Sequence, residues 1–121
     1  MIMFSIIFYK TETGKEPVLD FIKELKKRND KDARINAAKI NDYLEILKTC
    51  GKAAGEPFVK PISGDIWELR PIRNRILFAA WTGEVFVLLH CFVKKTKKTP
   101  QSEIIKAKRE FEDFKRRNGN G

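Results

Sequence analysis

The chain has 121 residues, 42% of them hydrophobic, and a formal net charge of +9. That length suits one domain with a modest core, and that hydrophobic share excludes wholesale disorder. The charge is uneven: residues 1–57 hold 11 Lys/Arg against 9 Asp/Glu, residues 58–121 hold 14 against 7. A basic second half points to a polyanionic partner such as nucleic acid, an anionic membrane surface or an acidic protein.

Residues 2–10 are rich in Ile and Phe and run into the polar TETGK, which predicts a strand and then a loop. The apolar opening MIMFSIIFY is too short to span a bilayer and lacks a basic leading region, so no membrane segment is expected. Pro17 suits the first turn of a helix. Val18, Phe21, Ile22 and Leu25 follow at helical spacing, and KKRND ends the segment. Asp30 is a good cap for a second helix. Its buried stripe is Ala33, Ala37, Ile40, Leu44 and Leu47, and Gly51 stands where helices end. Residues 51–64 read as loop. Three short strands follow, near 65–72, 75–81 and 84–93. Thr99 then reads as the cap of a last helix with Pro100 at its first position. Ile104, Ala107, Phe111 and Phe114 line one side of that helix. The order strand, two helices, three strands, helix predicts a single α+β domain over 1–121. Its sheet should be mostly antiparallel, with helices packed on one face.

Cys50 and Cys91 stand in no metal-ligand spacing, and the chain has one His. No metal and no cofactor are expected, and the thiols read as reduced ones in a cytoplasmic protein.

The stretch RNRILFAAWTGEVFVLLHCFVKK, residues 73–95, reads as one hairpin with basic residues at its open end. Thr82-Gly83 is a plausible two-residue turn. That turn would pair Trp81 with Glu84, Leu77 with Leu88, Arg75 with His90 and Arg73 with Phe92. Side chains alternate along a strand, so the faces follow. One would carry Ile76, Phe78, Ala80, Val85, Val87, Leu89, Cys91 and Val93 under the helices. The other would carry Leu77, Ala79, Trp81, Phe86 and Leu88, then Arg75, His90, Phe92 and Lys94 toward the open end. A turn at Arg73-Asn74 would add Glu68 and Arg70 to this face. Arg70, Arg75, His90 and Lys94 would then converge around Phe92, with Arg73, Lys95, Lys97 and Lys98 at the rim. Arg75 and Lys94 would both be surface positions.

Arg offers bidentate phosphate contacts and Lys a point charge. An aromatic among cations suits a stacked base, so single-stranded RNA is the expected ligand. Each residue also has a plainer role. His90 can be a satisfied structural histidine, and Glu68 can neutralise Arg70. KKTKK can be a solvated loop, and Phe92 can lie under the C-terminal helix.

"IWELRPIRNRILF", "VFVLLHCFVKKTKKTP" and the helix beginning "QSEIIKAKRE" resemble the HigB-like toxins of the RelE/ParE superfamily of type II toxin–antitoxin systems. The resemblance covers nearly the whole chain and is most specific over residues 66–110. It implies a RelE-like fold and an endoribonuclease that cuts messenger RNA on the ribosome without a metal. It puts Arg75 at the catalytic arginine and Lys94 and Lys95 at the basic pair flanking the phosphate. Arg70 and Arg73 fall at basic positions of the preceding strand end. The tyrosine usual in the C-terminal segment is missing, since the only tyrosines are Tyr9 and Tyr43.

In the expected reaction a ribose 2′-OH attacks the adjacent phosphorus. It needs a base, an acid and cations for the phosphorane, and His90 is the only side chain whose unperturbed pKa lies near 7. The implied partners are the message on the ribosome and a cognate antitoxin, HigA-like with a helix-turn-helix domain, in a toxin–antitoxin heterotetramer. A ParE-like inhibitor of DNA gyrase and a non-catalytic RNA-binding module are the alternatives.

Overall fold

The computed structural model describes residues 3–121. Of the first predicted strand, Ile2 lies outside the described residues. Within the rest, Ser5–Phe8 forms β1, shorter at both ends than expected, followed by α1 (Pro17–Lys27) and α2 (Lys31–Cys50). A short 3-10 turn at Gly51–Ala54 leads to β2 (Val59–Ser63), β3 (Ile66–Leu69), β4 (Asn74–Thr82), β5 (Val85–Val93) and α3 (Gln101–Asn118). The fold is α+β, as expected.

The helix ends follow their local signals. Pro17 opens α1, and the Asp30 carboxylate accepts from the Ala33 N–H at 3.0 Å, satisfying one of the free donors of α2. Gly51 closes α2 at φ 59° and donates its N–H to the Leu47 carbonyl. A Cβ there would fall 2.7 Å from the ring of Phe4, so the position needs glycine twice over. At α3 the expected cap fails. The Thr99 hydroxyl donates to Glu68 at 2.5 Å instead, and Pro100 takes the capping position without a side-chain bond.

The five strands lie in the order β1-β5-β4-β3-β2. β1 runs parallel to β5 and the other pairs are antiparallel. The segment 51–64, expected to be loop, supplies the edge strand β2. Pro61 cannot donate to a ladder and fits a strand that has a partner on one side only.

The helices cover both faces of the sheet, where one face was expected. α1 and α2 pack on Leu69, Ile76, Phe78, Phe86 and Leu88. α3 packs Ala107, Phe111 and Phe114 on Leu77, Ala79, Val87 and Leu89. The face read as half-exposed is therefore a second core. Two tryptophans mark the layers. Trp81 meets the Phe114 ring edge-on at 5.1 Å and donates its indole N–H to the Gly119 carbonyl, while Trp67 packs against the other cluster with Lys52 over its ring.

The hairpin register also differs from the expected one. Thr82 pairs with Val85, so Gly83-Glu84 makes the turn, and Arg75 pairs with Phe92 rather than with His90. Leu77 pairs with His90 but Phe78 with Leu88, which leaves Leu89 as an extra residue in β5. A bulge inverts the alternation on either side of it. Phe86 and Leu88 consequently face α1 and α2, while His90 and Phe92 keep to the face of Arg75.

Candidate nucleic-acid cleft

The open end of the β4–β5 hairpin bears a cleft of about 690 Å³ lined by Ile72, Arg73, Arg75, Lys94, Lys95, Thr96 and Lys97. Five of these seven side chains are cationic. A narrower recess continues from it past Phe92, Lys98 and Thr99 to Glu68. The Lys94 N–H donates to the Arg73 carbonyl at 2.7 Å, which fixes the two basic ends side by side. Like charges repel in this geometry, so an anion is the natural occupant.

Arg75 is not the surface residue expected, since only 6% of it is exposed. Its Nη1 donates to the Ile72 carbonyl at 3.0 Å and to the Asn74 carbonyl at 2.9 Å. Nε stands 3.7 Å from Glu68. Nη2 has no hydrogen-bond partner among the described residues. Burial pulls the guanidinium pKa below the ordinary arginine value, with Glu68 opposing and Arg70 adding to the fall. The side chain stays charged all the same.

Glu68 is 2% exposed and does what its plainer reading said: it holds cations, Arg70 at 3.5 Å and Arg75 at 3.7 Å. Arg70 turns away from the cleft, toward Glu68 and Glu56, and lines neither the cleft nor the recess.

His90 is not brought to the cleft either. It is 8% exposed beneath the start of α3, and its Nε2 is 2.9 Å from Glu103 Oε1. Its ring stacks on Phe92 with centroids 6.2 Å apart. Phe92 carries the contact onward, since it is half-buried and lines the recess. Of the nine residues picked out from sequence, Arg73, Arg75, Lys94, Lys95 and Lys97 meet in the cleft, Phe92 and Lys98 in its recess, and Arg70 and His90 in neither.

Sequence reading missed the turn that carries Arg75. Ile72 has φ 58°. A β-branched residue in the left-handed region costs on the order of 1–2 kcal/mol, and nothing in the residue type announces it. The buried Asn74 donates through Nδ2 to the Pro71 carbonyl at 3.2 Å and to Asn36 Oδ1 of α2 at 2.8 Å.

A second concavity of about 510 Å³ lies between the β1–α1 loop and α3. There the Tyr9 hydroxyl donates to Asp113 at 2.6 Å. Burial and that bond push the tyrosine pKa up to about 12, so it is no base near neutral pH. Among the described residues no helix is long and apolar enough to cross a membrane.

The family model described as Phage derived protein Gp49-like (DUF891) matches residues 20–112. The chain belongs to this family. It is a toxin–antitoxin-associated family of the RelE/HigB type, and the five-stranded sheet with three helices agrees with a RelE-like fold. No curated protein matches the chain. The matched residues take in both strands of the Gp49-like hairpin and every cation of its cleft.

Proposed function

We propose that this Gp49-like chain is the toxin of a type II toxin–antitoxin pair and cleaves messenger RNA on the ribosome. The reading rests on one observation: four cationic side chains share the cleft with the Arg75 guanidinium, whose Nη2 edge is unoccupied, beside a half-buried phenylalanine. Phosphate fits the cations and a base fits Phe92.

In the proposed reaction the 2′-oxygen attacks the adjacent phosphorus, the bond to the 5′-oxygen breaks, and a cyclic phosphate and a free 5′-OH result. Arg75 and Lys94 stabilise the phosphorane charge, and Arg73 and Lys95 orient the phosphate. Lys97 and Lys98 follow the flanking backbone. His90, tied to Glu103, supports Phe92. The 2′-OH proton therefore leaves to a cleft lysine in its neutral form or to the ribosome, and a protonated cleft lysine or the ribosome supplies the proton that the departing 5′-oxygen takes up. A +9 nuclease must be neutralised in its own cell, so a cognate antitoxin is the expected partner.

The test is incubation with translating ribosomes and mapping of new 5′ ends on the message. New ends within coding sequence are expected from the wild type and from His90→Gln. Loss of cleavage in His90→Gln, with the fold intact, would return proton transfer to the histidine. Intact messages with early DNA breaks would replace the whole reading by gyrase inhibition.

A further inference from the structure

Two main-chain carbonyls on one guanidinium nitrogen are an unusual use of a turn. The Pro71–Asn74 segment joins β3 to β4 as a two-residue turn, closed by the Asn74 N–H on the Pro71 carbonyl at 2.9 Å. Hairpin turns of this length favour a positive φ at the first central residue, which glycine or asparagine usually supplies. Here Ile72 holds that position at φ 58° with its side chain 45% exposed at the lip of the cleft. No side-chain burial offsets the cost of a β-branched residue there. The conformation also directs the Ile72 carbonyl, which meets Arg75 Nη1 at 3.0 Å. A costly residue at such a position points to a role.

The surroundings are identifiable. Asn74 is 4% exposed and ties the turn to itself at the Pro71 carbonyl and to α2 at Asn36 Oδ1. Asn36 in turn donates to the Asp32 carbonyl one helical turn back. α2 is thus the rigid support, Asn36–Asn74 the strut, and the two carbonyls the jaws.

We propose that the turn is a clamp for Arg75, in which Ile72 and Asn74 grip Nη1 through their carbonyls, Asn36 braces the grip from α2, and Nη2 is left presented to the cleft. Ile72, Asn74 and Asn36 are positioning residues, since none of them needs to touch the substrate. The significance for catalysis rests on the nuclease reading above, whereas the clamp itself can be tested without it. A guanidinium gripped on one nitrogen presents a fixed donor pair to an equatorial phosphate oxygen, and pre-set donors need no reorganisation as charge develops.

The experiment pairs a spectroscopic arm with a kinetic one, on the full chain. In arginine-labelled protein, NMR should show separate Arg75 Hη1 and Hη2 signals, identified by their loss in Arg75→Lys. They should merge by free rotation in Asn36→Ala, whereas Ile72→Gly, which holds the positive φ without strain and keeps the carbonyl, should leave them separate. Asn36→Asp, which keeps an oxygen acceptor for Asn74, should restore them. Ribosome-dependent cleavage should fall between about tenfold and a hundredfold in Asn36→Ala. Affinity for single-stranded RNA should stay within about twofold, because the lost term acts only in the transition state. Ile72→Gly should also melt no lower than wild type, since glycine relieves the strained φ. A merely structural turn would predict lost stability with unchanged cleavage below the melt. Averaged Arg75 signals in the wild type, or wild-type cleavage by Asn36→Ala, would overturn the clamp. If the wild type cuts no RNA, the nuclease reading falls and the NMR arm still decides the clamp.

Discussion

Lys94 and Arg75 reach the same cleft from different footings. Lys94 is half-buried with no ion pair among the described residues, so Lys94→Ala should cost within about 1 kcal/mol of stability. Its cleavage rate should nevertheless fall on the order of a hundredfold. Arg75→Ala leaves the buried Glu68 carboxylate one cation short, which costs on the order of 3 kcal/mol and lowers the melting temperature by roughly 10 °C. Thermal melts beside cleavage assays check both, and an unaltered melt for Arg75→Ala would contradict the ion pair. Glu110 makes a separate prediction. It is 8% exposed with Oε1 unpartnered, and burial pushes its carboxyl up from 4.5 to about 7, Lys106 and Arg109 opposing. The folded state thus prefers the protonated form. The penalty is absent below pH 4.5, grows as pH rises toward 7 and is complete above it, on the order of 3 kcal/mol. Glu110→Gln should therefore raise stability at pH 8, leave it unchanged at pH 4 and flatten the slope between. Urea unfolding at the two values measures this, and an equal gain at both would sink it. At this scale the cations were legible in the sequence, because charges gathered at one end of a hairpin show in the order of residues. The buried state of Arg75, the strained Ile72 and the diversion of Arg70 to Glu56 were not, because each depends on what other segments place nearby.

The end of α2 gives the clearest test among the elements. Gly51→Ala forces a side chain into a left-handed φ and against Phe4, whose ring is tilted against that of Phe86 of β5 at 5.2 Å. A loss of about 1–2 kcal/mol is expected, read as a lower urea midpoint with unchanged slope. A neutral result would mean that the chain relaxes there at no cost. Both paired helices were legible because their signals are local: Pro17 at one start, Asp30 at the next, Gly51 at the end. β2 was not, because Lys60 and Pro61 suit an edge and read as loop when no partner strand is in view. The hairpin shows how two irregularities can cancel. Thr82 pairs with Val85 but Ala80 with Phe86, which inverts the alternation near the turn, and the extra Leu89 inverts it back, so Arg75, His90 and Phe92 still share a face. Alternating hydrophobicity could not reveal the bulge, because helices cover both faces and VFVLLHCFV is apolar on each side.

Across the whole molecule, charge is concentrated at one end of the sheet, and this should govern binding. With about four phosphates neutralised, affinity for single-stranded RNA should fall roughly 50-fold between 50 and 200 mM salt. A shallow salt dependence would mean that the cleft is not where RNA lies. In the cell, the chain without its antitoxin should arrest growth and deplete messages before DNA damage appears; unrestrained growth with the protein present would count against a toxin. The two tryptophans bear on how such partners act. Trp81 lies against α3 and Trp67 against the opposite layer, so their emission reports on different halves of the molecule. The single-tryptophan variants Trp67→Phe and Trp81→Phe divide the fluorescence of the chain into two optical channels. A red shift in the Trp81 channel alone, on addition of RNA or of an antitoxin, would mean that α3 lifts from the sheet while the other layer holds. The protein thus carries its own gauge of which layer yields first.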